Sequence, residues 1–129
     1  MTEPPAFMRV LGLAIDHADE EEAVLRMDVP ETLLTPFGTV HGGVIAVLFD
    51  TALAVAIARR LPAPNRIATH NLNVSYVAFA RDRLLRCRAW VVSLRTTVAL
   101  AEGEVRDGAG RLVAKALGTF GVRRPPTES

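Results

Sequence analysis

The run VIAVLFDTALAVAIA, residues 44–58, decides the fold of this chain. Its side chains are apolar except for Asp50 and Thr51, and Arg59 ends it. A helix that is apolar on every face belongs in a protein core or in a membrane. A membrane span needs about 20 apolar residues, and a carboxylate at its centre is costly. The run therefore predicts a helix buried on all sides in the core of the protein.

The regions around this helix have the alternation of β-strands. Apolar residues occupy every second position in one early stretch: Ala23, Leu25, Met27 and Val29. Several further strand-like runs lie between residues 66 and 122, with a predicted hairpin turn at residues 107–110. Residues 5–13 favour a short helix that begins near a proline. A sheet that curls around one central helix follows, so the fold class is α+β with an antiparallel sheet.

Composition limits the class of protein further. The 129 residues suit one domain over 1–129, with an ordered core at about 7–123 and a frayed tail at 124–129. A net charge of +1 argues against a nucleic-acid-binding protein. The single cysteine, Cys87, excludes an internal disulfide framework. Because the chain also begins without a signal-like segment, we expect a cytoplasmic protein.

The near-neutral total conceals a charge asymmetry. Residues 1–58 carry two basic and nine acidic side chains, whereas residues 59–129 carry thirteen basic and five acidic ones. Fourteen of the fifteen basic residues are arginines, which bind phosphate through paired hydrogen bonds. The second half therefore has either an ordinary solvated basic surface or a surface that meets a phosphorylated ligand.

His41, Gly42 and Gly43 stand where the helix begins. Glycines allow a ligand to approach the backbone closely, and the free amides of a helix start favour an anion. A carbonyl under nucleophilic attack becomes such an anion, so this loop is a candidate oxyanion hole. The alternative is that the two glycines only permit tight packing of the loop on the helix.

Asp50 is the candidate catalytic carboxylate. An acidic side chain among apolar ones is costly unless it is paired or functional, so a general base and a structural aspartate are both open. Gly43 precedes it by seven residues, about two turns or roughly 10 Å along a helix. Groups that act on one carbonyl should each lie about 3 Å from it. We therefore predict a site in which Gly43 of one subunit faces Asp50 of another.

Four segments together resemble the PaaI-like thioesterases of the hotdog fold. They are GTVHGGVIAVLFDTALAVA (38–56), NLNVSYVAFA (71–80), RCRAWVVSLRTT (86–97) and GRLVAKALGTF (110–120), and the first contains an HGG-x6-D signature. The resemblance covers residues 7–123 and implies five or six antiparallel strands around one long helix. It also implies a homodimer with sheets joined edge to edge, often paired into a tetramer. The implied activity is hydrolysis of acyl-CoA thioesters without metal or bound cofactor.

The same resemblance assigns roles to individual residues. Asp50 matches the general base or nucleophile, Gly43 the amide that polarises the carbonyl, and Thr69 a hydroxyl that positions water. His41 matches a histidine that orders the loop or contacts the thioester, and both roles are open. The expected substrate contacts are Gly42, Thr35, Arg95 and Thr96. Thr35 stands where relatives often have Asn or Gln, a change that predicts lower activity or another substrate range.

Two other functions are compatible with a hotdog fold. The alternative is a hotdog module that binds acyl-CoA or acyl-carrier thioesters without cleaving them. A hotdog dehydratase fits less well, because no histidine is followed by a partnered acid in that family's arrangement. The three histidines, His17, His41 and His70, are far apart in sequence, so no metal site is expected.

Overall fold

The structure, a computed structural model, describes residues 5–126. It contains two α-helices, one 3-10 turn and six β-strands. Their bounds in chain order are α1 Ala6–Val10, β1 Leu13–Ala18, β2 Ala23–Asp28, the turn Glu31–Leu33, α2 Gly42–Ala58, β3 Arg66–Tyr76, β4 Leu84–Leu94, β5 Val98–Asp107 and β6 Leu112–Arg123. Residues 127–129 of the expected tail lie outside the described residues.

The six strands form one antiparallel sheet in the order β1-β2-β4-β5-β6-β3. Helix α2 packs on this sheet, mainly against the inner strands and β3. The α+β hotdog architecture is therefore confirmed, with six strands and one long helix. Strand β3 forms an edge of the sheet, paired with β6 on one side only.

Carboxylates close two of the hairpins. Asp19 Oδ1 accepts hydrogen bonds from the backbone amides of Glu21 and Glu22 at 2.8 and 2.9 Å, between β1 and β2. Asp107 Oδ1 accepts from the amides of Arg111 and Ala109 at 2.9 and 3.0 Å, between β5 and β6. These amides hold the pKa of both carboxyls below its usual value, because hydrogen bonds to the charged form stabilise it. The predicted turn at residues 107–110 is confirmed.

One face of α2 forms the centre of the core. Its buried residues recur at helical spacing: Ile45, Leu48, Phe49, Ala52, Leu53, Ala56 and Ile57. Gly103 and Gly118 let this face approach the sheet, because a Cβ on either glycine would lie within 3.3 Å of the Leu53 side chain. Cys87 is fully buried on the same side of the sheet, where burial raises the pKa of its thiol.

The opposite face of α2 is open. Val47 is 38% exposed, and Asp50, Thr51 and Ala54 are only half-buried. The prediction of a helix buried on all sides is therefore wrong for a single chain. The reason is geometric: one sheet of six strands packs against one side of the helix and leaves the other accessible.

The outer face of the sheet carries exposed arginines that alternate with buried apolar residues along β4. Arg86 pairs with Asp16, and Arg88 pairs with Glu22 and Glu104. No helix in the described part of the chain is long and apolar enough to cross a membrane.

Candidate active site

His41 caps the start of α2. Its Nδ1 atom accepts a hydrogen bond from the Gly43 backbone amide at 2.9 Å, so Nδ1 carries no proton in this arrangement. The His41 carbonyl accepts from the Val44 amide at 3.0 Å. The amide of Gly43, expected to polarise a substrate carbonyl, is thus already engaged. The Gly42 amide has no acceptor within residues 5–126.

Thr35 holds the loop that leads to this helix start. Its hydroxyl lies 2.8 Å from the Thr39 hydroxyl and accepts a hydrogen bond from the Phe37 amide at 3.2 Å. The Thr35 amide donates to the Thr39 carbonyl at 2.7 Å, and Gly38 takes a φ of 76° at the turn. A short hydroxyl is therefore sufficient here to hold the loop.

Tyr76, at the end of β3, is the residue that sequence reasoning missed. Its hydroxyl donates a hydrogen bond of 2.5 Å to the Gly42 carbonyl and so ties β3 to the first turn of α2. Partial burial raises the pKa of this phenol, which keeps the donor protonated. The contact joins residues 34 positions apart, and no spacing in the sequence indicates it.

A pocket of about 490 Å³ lies beside the helix start. Thr35, Gly42 and Tyr76 line it together with apolar side chains, which include Ile45 and Phe79. The polar residues of this lining are Thr35, Thr39 and Tyr76, and the others are apolar residues and Gly42. Such a lining, mostly apolar with a few polar groups, is typical of a small-molecule site.

Three nearby phenylalanine and leucine residues lie outside this pocket. Phe37 is 90% exposed on the loop, and Leu48 and Phe49 are fully buried in the core.

Asp50 and Thr69 form a second polar pair. Thr69, on β3, donates a hydrogen bond from Oγ1 to Asp50 Oδ1 at 2.5 Å. Asp50 is half-buried on the open face of α2, and its other carboxylate oxygen has no hydrogen-bond partner among residues 5–126. The pair therefore combines a carboxylate acceptor with a hydroxyl that fixes its orientation.

These features do not meet within one chain. The His41–Gly43 turn and Asp50 lie two helical turns apart, and Asp50 does not line the pocket at the helix start. Arg95 and Thr96 also lie away from the helix start. The Thr97 carbonyl of the same turn accepts a hydrogen bond from the Val122 amide of β6, beside the beginning of β3. Tyr76 and the helix start lie at the opposite end of β3.

Among the residues that the structure describes, no group of three or more His, Cys, Asp or Glu side chains is arranged to hold a metal ion.

Comparisons with known proteins agree with this fold. The family model described as Thioesterase superfamily matches residues 37–114. A Halobacterium salinarum protein with an esterase name is 37% identical over 125 residues, which cover 88% of this chain and 82% of that protein. The 1,4-dihydroxy-2-naphthoyl-CoA hydrolase of Listeria monocytogenes is 23% identical over 114 residues, 88% of this chain and 93% of that protein.

A conserved protein from Pseudomonas aeruginosa has the same architecture. It superposes with a TM-score of 0.87 at 27% identity, over 93% of this chain and 95% of that one. Fold, site and relatives together define a hydrolase of the hotdog class. The chain belongs to the thioesterase superfamily.

Proposed function

We propose that this protein is an acyl-CoA thioesterase of the PaaI-like type, which hydrolyses small or medium acyl-CoA or aryl-CoA thioesters. The observation that carries the proposal is the 2.5 Å hydrogen bond from Thr69 to Asp50. A carboxylate on an otherwise apolar helix, oriented by a hydroxyl and accessible on one side, is suited to activate water.

Asp50 acts as general base in the reaction. Its free carboxylate oxygen takes a proton from water, and the resulting hydroxide adds to the thioester carbonyl carbon. The tetrahedral oxyanion then collapses, the C–S bond breaks, and the proton passes to the thiolate, which leaves free acid and thiol. In the alternative mechanism, an Asp50 carboxylate oxygen attacks the carbonyl carbon, the C–S bond breaks and the thiolate leaves with a mixed anhydride on Asp50. Water then hydrolyses this anhydride to the free acid and restores the Asp50 carboxylate, and the proton released goes to the thiolate.

The start of α2 stabilises the oxyanion in this proposal. The Gly42 amide has no acceptor in the described residues, and the Gly43 amide joins it when the His41 ring releases it to the substrate. His41 then serves chiefly to preorganise the loop, because its Nδ1 holds the Gly43 amide in position until the substrate oxygen accepts from it.

Two chains complete each site. Strand β3 has a free edge, and the accessible side of α2, with Val47 and Ala54, lies beside it. A second copy paired antiparallel along β3 covers this apolar surface. Such pairing also brings the end of the partner's β3, and with it the helix start, toward Asp50. We propose a homodimer with shared sites, which pairs again into a tetramer.

The substrate class has support from one relative, the Listeria protein whose name is that of an aryl-CoA hydrolase. The cytoplasmic location stays a prediction from composition.

A thiol-release assay across short, medium, long-chain and aryl CoA thioesters tests the proposal. We expect turnover on at least one class without added metal. Tight binding of CoA thioesters with no turnover across the panel would instead identify the non-hydrolytic binding module.

A further inference from the structure

One wall of the pocket at the helix start is a segment outside any helix or strand. It consists of residues 77–80, which follow the last residue of β3 and all line the pocket. We call it the wall segment. Ala80 is buried, but the Val77 and Phe79 side chains are 59% and 72% exposed. Because more than half of each of these two side chains is not packed, their positions depend on how the backbone of the segment is held.

Backbone hydrogen bonds hold the wall segment near its two ends. The Val77 and Ala78 amides both donate to the Val113 carbonyl of β6, at 2.8 and 3.2 Å. At the other end, the Ala80 carbonyl accepts from the Val40 amide at 2.8 Å. None of these bonds involves the third residue of the segment.

Arg111 holds this third residue, Phe79. Its Nη2 atom donates a hydrogen bond to the Phe79 carbonyl at 3.0 Å, across 32 positions of sequence. No other hydrogen bond to Phe79 comes from residues 5–126. The guanidinium therefore restrains the peptide group that follows Phe79, and with it the direction of the exposed ring. Arg111 does not line the pocket itself, so any effect on a ligand there passes through the wall segment.

Asp107 fixes the guanidinium from its other side. This carboxylate is 8% exposed, and its Oδ2 accepts from Arg111 Nε at 3.2 Å. Its Oδ1 accepts from two backbone amides of the β5–β6 turn. A planar guanidinium with one nitrogen on Asp107 and another on Phe79 has little rotational freedom. The turn thus places a donor beside the wall segment before any ligand binds.

We propose that Arg111 is a positioning residue that sets which acyl groups the pocket accepts, because it holds Phe79 in place. This inference rests on the proposed function, with the acyl or aryl group of the thioester in the pocket. A fixed apolar wall discriminates by length, since close-packed surfaces yield little and one methylene in such a pocket changes the specificity constant about 10- to 200-fold. A wall segment released by loss of the guanidinium gives up part of this discrimination.

The chemical step should be spared. The hydrogen bond between Thr69 and Asp50 involves neither Arg111 nor the wall segment. The Ala80 carbonyl keeps its bond to the Val40 amide, so the loop before the helix start stays in place. A positioning role of Arg111 therefore predicts a change in KM and in length selectivity at nearly constant kcat.

Arg106 provides a matched control on the same hairpin. It donates from Nε to Glu104 Oε1 at 3.2 Å and from Nη1 to the Gly110 carbonyl at 3.0 Å. Like Arg111, it joins one carboxylate and one backbone carbonyl, but both partners belong to the hairpin itself. Its removal shows what a weaker hairpin does when the wall segment keeps its contacts.

The test measures thiol release from the best acyl-CoA of the panel and from the same thioester with its acyl group two carbons longer. In Arg111→Met, we expect KM for the best substrate to rise about 3- to 10-fold and kcat to stay within about twofold, because binding is altered and chemistry is not. The ratio of kcat/KM between the two substrates should fall at least about threefold. Arg106→Met should leave this ratio unchanged. An unchanged ratio in Arg111→Met, or an equal fall in both variants, would overturn the positioning role.

Arg111→Lys separates positioning from stability. Lysine keeps a positive charge beside Asp107 but lacks the planar fork that bonds two partners at once. We expect a melting temperature near that of the wild type, with the same loss of length selectivity as in Arg111→Met. This variant also serves if Arg111→Met does not fold, since the Gly108 amide still donates to Asp82 Oδ2 at 3.0 Å and keeps the turn docked. Wild-type selectivity in the lysine variant would show that charge alone suffices, and would overturn the proposal.

Calorimetry with S-alkyl-CoA thioethers separates this inference from the proposed function, because thioethers bind without being hydrolysed. The tightest-binding alkyl length is compared with one two carbons longer. If no thioester is hydrolysed but Arg111→Met, unlike Arg106→Met, lowers the affinity ratio at least about threefold, the positioning role is supported and the hydrolase function is refuted. If thioesters are hydrolysed and the affinity ratio is the same in wild type and Arg111→Met, the positioning role is refuted and the hydrolase function stands.

Discussion

Thr69 donates a 2.5 Å hydrogen bond to Asp50, which joins the edge strand β3 to the open face of α2. The two residues lie 19 positions apart, and the bond orients the one carboxylate of an otherwise apolar helix. If Asp50 is catalytic, the Thr69 hydroxyl fixes which carboxylate oxygen faces the water. If Asp50 is structural, the hydroxyl only provides its carboxylate with a hydrogen-bond partner.

Replacing Thr69 by Val separates these accounts, since it removes the hydroxyl and keeps the shape. A hydrogen bond to a charged group contributes about 1.5–3 kcal/mol, so we expect kcat to fall about 10- to 100-fold. Thr69→Ser should retain most activity. The measurement is steady-state thiol release with each variant. Equal activity of the Val and Ser variants would show that the hydroxyl has no part in turnover.

His41 should be replaceable by another capping residue. Because Nδ1 caps the helix by accepting from Gly43, His41→Asn should keep the melting temperature and keep kcat within about tenfold. His41→Ala should destabilise the protein by about 1 kcal/mol. Thermal unfolding and kcat are measured on both variants. A stable Asn variant without activity would instead identify His41 as a group that contacts the reacting thioester.

Tyr76→Phe should loosen the first turn of α2 without unfolding it. The lost hydrogen bond to the Gly42 carbonyl is worth about 1 kcal/mol. We expect kcat/KM to fall about 3- to 10-fold, and the fold to be retained by circular dichroism. A variant as active as the wild type would mean that Tyr76 does not order the helix start.

The shared site can be tested by mixing two inactive variants. Asp50→Asn removes the base, and Gly43→Val crowds the His41 ring, because a Cβ at position 43 would lie only 3.1 Å from His41 Nδ1. Coexpressed chains that share sites form hybrid dimers with one intact site. Random pairing then restores about a quarter of wild-type activity. No recovery in hybrids isolated by two affinity tags would show that each site belongs to a single chain.

The sequence predicts the fold well because its strongest signals are local. Alternation along β2 and the apolar run of α2, which only Asp50 and Thr51 interrupt, both reflect burial, and both elements form as predicted. The open face of α2 was not predictable in the same way. An apolar side chain indicates that its position is buried, but it does not indicate whether the chain's own sheet or another molecule buries it.

The candidate site was only partly predictable. Asp50 stands out as the exception in an apolar run, and Thr69 came from the family resemblance. The contact of Tyr76 with Gly42 depends on how the end of β3 meets the helix. It has no fixed sequence spacing, so only the folded chain reveals it.

The central claim is that Asp50 activates water for thioester hydrolysis, and Asp50→Asn tests it most directly. The amide is nearly the same size but accepts no proton, so the variant should fold with an unchanged melting temperature. The measurement is the single-turnover rate constant of hydrolysis for the best thioester of the panel. The account predicts a fall of at least about a thousandfold. A folded Asp50→Asn enzyme that retains wild-type kcat would contradict it.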